Sequence, residues 1–219
     1  MTTAIYVALI GDVVASRDLA PAARARLQRH LRAAIPDLNR RWRKTLAARF
    51  GVTLGDEFQC LLTSAAPLWE IAHVVRATLP EVEWVIGCGR GRITTPLAKG
   101  SVAPELDGPC FHEARGALEA AKRRRRLFGF GGFGGATATL NGLASYYSAL
   151  HWSWTPRQRY AAKLLRCGDP ASVAGQLKVG QSAVSHLARR MAWPLVAAGD
   201  SIFQNMVQHP NPPSAGSPQ

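Results

Sequence analysis

The chain has few acidic residues, 14 Asp and Glu against 27 Lys and Arg, so its 219 residues carry a formal charge of +13. That imbalance excludes a surface that repels polyanions. Cysteine is also scarce. Cys60, Cys88, Cys110 and Cys167 lie far apart, with no C-x-x-C pair and no histidine at finger spacing. A disulfide framework and a zinc finger are thereby excluded, and the four are read as reduced thiols. No apolar run approaches the roughly 18 residues that a membrane span needs, so membrane insertion is excluded as well. The first ten residues, MTTAIYVALI, lack the basic start and small-residue cleavage site of a signal peptide, and the expected location is the cytoplasm. No internal repeat interrupts the chain.

What is present is unevenly spread. Residues 1–54 hold ten basic and three acidic residues, whereas 55–110 hold four and seven. Basic residues dominate again in 111–135, six to two, and in the remainder, seven to two. A basic surface attracts polyanions because each neutralised phosphate releases a condensed counterion, which makes nucleic acid the leading partner class.

Tyr6 to Ile10 is a continuous apolar run that ends at Gly11-Asp12, the pattern of a buried central strand with its C-terminal end at a site. Leu27, Leu31, Ile35, Leu38, Trp42 and Leu46 recur at spacings of three and four, which predicts amphipathic helix interrupted near Pro36. Phe50 to Leu54 and Phe58 to Leu62 flank Gly55-Asp56-Glu57 and read as a hairpin. Helices are predicted over 67–79 and 111–126, with strands at 84–88 and 91–95 around a glycine-rich turn. The run FGFGGFGG, 128–135, reads as a break between domains, since so much glycine weakens both helix and strand. A helix over 140–154 then leads to a second, all-helical unit. The Pro-, Ser- and Gly-rich tail, 209–219, reads as disordered.

Thr155-Pro156 and Asp169-Pro170 are both a capping residue followed by proline, the signature of a helix start. After a turn at Lys178-Val179-Gly180, Val184, Leu187 and Met191 form an apolar stripe. Gln181, Ser182, Ser185, His186, Arg189 and Arg190 fall on the opposite side. A recognition helix needs this division, polar side chains toward base edges and phosphates, apolar ones toward its supporting helices. The run TPRQRYAAKLL…VAGQLKVGQSAVSHLARR resembles the helix-turn-helix of sigma-factor region 4. The usual turn glycine is replaced by Lys178. Helix-turn-helix proteins often dimerise to read two half-sites, so a homodimer is compatible with this reading, although no segment marks a dimer surface.

Asp12 follows the first strand and Asp56-Glu57 sits at the hairpin tip. If the two strands are neighbours, the carboxylates converge, an arrangement that suits Mg²⁺ (or Mn²⁺) holding phosphate oxygens. A structural turn explains the same residues. TLGDEFQCLL resembles the metal-binding hairpin of palm-type nucleotidyl cyclases and GGDEF domains, and IGDVVASR their first acidic strand. With DGPCFHEAR and the C-terminal helices, these motifs resemble the SatD family over nearly the whole chain.

The resemblance implies an α/β (α+β) fold: a palm, ferredoxin-like, nucleotidyl-cyclase-type domain over 1–135, then a helical linker and helix-turn-helix over 136–208. It makes Asp12 and Asp56 metal ligands, Glu57 an auxiliary ligand, and Arg115 and Lys122 phosphate contacts of a bound nucleotide. Leu54 stands in place of the first glycine of the GGDEF signature, and Phe111 in place of the asparagine of class III adenylyl cyclases. Both departures argue against cyclisation, and no catalytic residue is assigned. The expected function is a DNA-binding, regulatory or stress-response protein with a metal- and nucleotide-binding palm; the alternative is an active cyclase or nucleotidyltransferase targeted by its helices. Gly87, Gly89 and Gly91 fit either a close nucleotide approach or a tight turn. The cationic run Lys122 to Arg126 fits either a phosphate contact or a solvated helix end.

Overall fold

A computed structural model describes residues 4–53 and 55–210. Leu54 and the tail beyond residue 210 lie outside the described residues, so the readings placed on them are not tested. The first domain runs β1 (Tyr6–Val13), α1 (Pro21–Trp42), β2 (Leu46–Val52), β3 (Glu57–Leu62), α2 (Leu68–Thr78), β4 (Trp84–Gly91), α3 (Pro109–Arg123) and β5 (Phe128–Gly131). Five helices follow: α4 (Ala136–Ser153), α5 (Pro156–Leu165), α6 (Pro170–Leu177), α7 (Gln181–Arg190) and α8 (Trp193–Gln208).

The strand order is β2-β3-β1-β4-β5. The first four strands and their two helices make the β-α-β-β-α-β ferredoxin-like unit, and α3 crosses over to add β5 parallel to β4. β1 lies at the centre, antiparallel to both β3 and β4. Its continuous apolar run is explained by burial on both faces. Val7 and Leu9 point into one core with α1, α2, α4 and α8, while Ala8 and Ile10 point into a second core under α3.

Three sequence expectations are corrected. Pro36 does not interrupt α1, which is continuous through it. Pro36 and Arg32, whose carbonyl loses its helical partner, are not in the core, so water can satisfy that oxygen. Gly87 and Gly89 do not form a turn; they lie inside β4. The run at 128–135 does not begin with a break either, because Phe128–Gly131 is the buried strand β5.

Both glycine corrections have one physical cause. Gly87 pairs with Gly129 and Gly89 with Gly131, and all four face α3. A Cβ at Gly87 would overlap the Ala114 carbonyl, at Gly89 that of Cys110, and at Gly129 that of Ala117. Glycine therefore lets the α3 backbone lie directly on the sheet. The alternating Phe128 and Phe130 enter the opposite core, at 0% and 2% exposure. Period-two alternation outweighs the intrinsic weakness of glycine in a strand.

The helices beyond Gly135 do not form a separate core. Ala136, Leu140 and Ala144 of α4 and Phe203 and Val207 of α8 join the main core, and Trp69 stacks on Phe203 with ring centroids 4.1 Å apart. α5, α6 and α7 hold one satellite cluster, with Val173 and Val184 buried between them, and a second joins Ala162 of α5 and Met191 to Val196 of α8. Thr155 caps α5 through a capping box with Gln158, and Asp169 caps α6 by accepting from the amides of Ala171 and Ser172. The turn after α6 places Lys178 itself in the left-handed region at φ 53°, a conformation glycine adopts at less cost. Among the described residues no helix is long and apolar enough to cross a membrane.

Candidate functional site

The β1–β3 register sets Asp12 directly opposite Glu57, with Asp56 one residue before β3. The three carboxylates thus meet at one corner of the sheet. On the same side, α3 presents Arg115 and Lys122, two turns apart. All five residues singled out in the palm are brought together.

Glu57 is held by Arg115 through two hydrogen bonds, the Nη2 contact to Oε1 measuring 2.7 Å, and it also accepts from the Thr53 hydroxyl at 2.8 Å and the Gln59 amide at 3.1 Å. Burial raises the Glu57 pKa, but these donors outweigh it and hold the carboxyl below its ordinary value. Lys122 Nζ contacts Asp12 Oδ2 and reaches Glu119 at 3.5 Å. For Asp12 the balance differs. Burial, with the neighbouring Asp56 and Glu57 charges, holds its pKa up despite the lysine. Burial depresses Lys122 too, yet Asp12 and Glu119 leave its pKa above the ordinary lysine value. The direct contact and the raised lysine pKa favour the ionised pair.

A divalent cation needs free carboxylate oxygens. Glu57 gives both of its oxygens to Arg115, and Asp12 gives one to Lys122. Among the described residues no group of three or more His, Cys, Asp or Glu is placed to hold a metal. Three of the four carboxylate oxygens of Asp12 and Glu57 are thus paired with Lys122 and Arg115, with the buried Asp56 beside them. The reason lies in α3: its close seating on the glycine patch delivers Arg115 and Lys122 onto the carboxylates.

Beside Asp12 opens a cavity of about 640 Å³, walled by the segment from Val13 to Asp18, the end of α3 and Trp152 of α4. Arg17, Lys122, Arg125 and Arg126 line it against Asp12 and Asp18, an excess of cations. The cationic run after α3 is therefore divided, with Arg125 and Arg126 at the cavity. Arg126 is only 5% exposed; its Nη1 binds Asn141 at 3.1 Å, while its Nε has no partner. Trp152 is fixed by donating to the Arg125 carbonyl at 2.8 Å. Sequence reasoning named Arg126 within the cationic run but missed Arg17 and Trp152, which lie far from it in the chain.

It also missed a second ionic cluster, at the junction of the sheet with α4 and α5. Glu83, just before β4, accepts from His151 at 3.1 Å and Arg76 at 3.4 Å, and pairs with Lys163 at 3.1 Å. Lys163 also donates to the carbonyls of Pro80 and Val82 at 2.8 and 2.6 Å. Burial opposes the charge on Glu83, but its cationic neighbours pull its pKa down to about 2. Burial lowers His151 to about 4 and Lys163 to about 8. The Glu83 backbone carbonyl accepts from Val14 at 2.8 Å, and Val14 lines the cavity. Arg159 of α5 lies over the Trp152 ring at 5.2 Å. The cavity and the terminal helices thus share a junction.

On α7, Gln181, Ser182, Ser185, His186, Arg189 and Arg190 all lie outside the core, while Val184 is buried. Ser185 turns its hydroxyl to the Gln181 carbonyl at 3.2 Å.

Several solved structures align with part of the chain. A bacterial light-regulated adenylyl cyclase aligns with a TM-score of 0.42 and 10% identity, over 58% of this chain and 75% of that one. The non-canonical dimeric guanylyl cyclase domain of the RhoGC fusion protein from the aquatic fungus Blastocladiella emersonii gives 0.37 and 13%, over 52% and 73%. The catalytic core of a rhodopsin-guanylyl cyclase with converted specificity, in complex with ATPalphaS, gives 0.36 and 14%, over 54% and 76%. No curated protein matches the sequence. The SatD family model matches residues 6–128, from the first residue of β1 to the first of β5, and the chain belongs to the SatD family.

Proposed function

We propose that this protein is a DNA-docking regulator whose palm-like domain binds a phosphate-bearing ligand of nucleotide size. The observation that carries the DNA reading is α7: six polar or cationic side chains lie outside the core together, while Val184 and Leu187 hold the helix to its neighbours. Such a helix, supported by α5 and α6, has the division of faces that major-groove readout requires. Gln181, Ser182 and Ser185 suit base edges, with His186 beside them, and Arg189 and Arg190 suit the phosphate backbone.

The ligand reading rests on the cavity and its excess of cations. The shared junction through Val14, Glu83, Trp152 and Arg159 gives a ligand a physical route to α5. On this reading, occupancy of the cavity alters how the terminal helices meet DNA. Turnover as a metal-dependent cyclase is disfavoured, because Asp12 and Glu57 are committed to Lys122 and Arg115.

An Arg189→Ala, Arg190→Ala protein titrated with duplex DNA over a range of salt tests the first half. Affinity is expected to fall across all sequences, and the salt slope to become shallower by about one for each phosphate that the protein no longer neutralises. Unchanged binding removes α7 from the interface. A thermal-shift screen of nucleoside triphosphates tests the second half, since a ligand of the folded state raises the melting temperature.

A further inference from the structure

We propose that the Nζ of Lys122 occupies the place of a divalent cation in the Asp12–Asp56–Glu57 corner, so that the cavity takes a phosphate group directly, without metal. The inference rests on the ligand reading above and narrows its chemistry.

The argument begins with charge. Three carboxylates converge, and α3 supplies two fixed cations to them, leaving one negative charge rather than three. A divalent cation is attracted to the three but gains little from the one, and it would have to displace an ammonium that already contacts Asp12. Lys122 is a point charge with three donors, and it satisfies Asp12 while sitting at the cavity wall. Its side chain is 36% exposed, so its remaining donors can reach a ligand.

The rest of the cavity completes an anion site. Arg17 and Arg125 stand at the wall with the almost fully buried Arg126. Guanidinium groups in a cavity wall suit a phosphate, since each can give two parallel charge-assisted hydrogen bonds to its oxygens.

The test uses the full chain and Mn²⁺ alone, with free Mn²⁺ read by electron paramagnetic resonance. The wild type is expected to bind no Mn²⁺ at the corner. Lys122→Met is expected to bind it at least about tenfold more tightly than wild type. The gain should vanish in the Asp12→Asn, Lys122→Met double variant. Lys122→Gln serves as a second opening variant, and circular dichroism verifies that each protein is folded. Wild-type Mn²⁺ binding that Asp12→Asn abolishes overturns the proposal, as does failure of both folded opening variants to take up Mn²⁺.

ATP titrated in EDTA and in Mg²⁺ separates this inference from the reading beneath it. Equal affinity in both supports metal-free binding. Binding only with Mg²⁺ overturns the inference and leaves the ligand reading standing. Absence of ATP binding, alongside the expected Mn²⁺ results, supports lysine in the cation's place and overturns the part of the proposal that gives the cavity a nucleotide phosphate.

Discussion

Two ionic clusters pair carboxylates with cations in different surroundings. In the acidic corner, Arg115 and Lys122 keep 43% and 36% of their side chains in solvent. At the junction, Arg76, His151 and Lys163 keep 2%, 1% and 4%. The cations of the first cluster keep part of their surface in solvent, where a ligand can reach them, and those of the second do not. A half-exposed pair is worth little because water competes for each charge. A buried one is costly to break, because removing either partner strands the other away from water. The corner is therefore suited to binding, and the junction to fixing α4 and α5 on the sheet.

The hardest test of this contrast is Glu83→Ala. It leaves Arg76 and Lys163 buried without their carboxylate, and the expected loss is about 3–5 kcal/mol in chemical denaturation. A loss no greater than that of a corner variant breaks the comparison.

Gly87→Ala comes next. Its Cβ overlaps the Ala114 carbonyl and must lift α3, at an expected cost of about 1–3 kcal/mol. The change should loosen the corner while leaving the junction intact, which amide exchange in α3 and in α5 can separate.

Acidification should act on the junction in two stages. The folded pKa of His151 is lowered from 6.5 to about 4 by burial, so the unfolded chain takes up the proton first. Stability from the neutral ring is complete above pH 6.5 and is lost as pH falls to 4. Glu83, lowered from 4.5 to about 2 because its cationic neighbours outweigh burial, adds a loss between those two values. Melting temperature should decline in both windows, and His151→Gln should flatten the upper one. An unchanged upper slope in that variant assigns the titration elsewhere.

The smallest effect is expected from Lys122→Met, at most about 1 kcal/mol of stability, since the pair is partly solvated. A thermal melt showing a larger loss would place the corner with the junction.

Much of the corner is legible in the sequence. Asp12 at the end of an apolar run and Asp56-Glu57 between two others can be located from pattern alone, and their convergence follows once the strands are neighbours. Arg115 and Lys122 are found by resemblance. Their pairing with Glu57 and Asp12 is not, because the height of α3 above the sheet depends on glycines that the sequence places in two distant segments. Glu83 and its partners Arg76, His151 and Lys163 carry no signal, as no short-range spacing links them.

By itself the sequence determined the central strand, the two capped helix starts at Thr155 and Asp169, and the apolar stripe of α7. Each of these is a local matter, set by side-chain periodicity or by a hydrogen bond between residues close in the chain. Only the tertiary structure decided that FGFG is a core strand, that Lys178 adopts the left-handed turn, and that the acidic corner carries its own cations. Those outcomes depend on which distant segment lies opposite, and burial against α3 outweighs the local preference of glycine for a break.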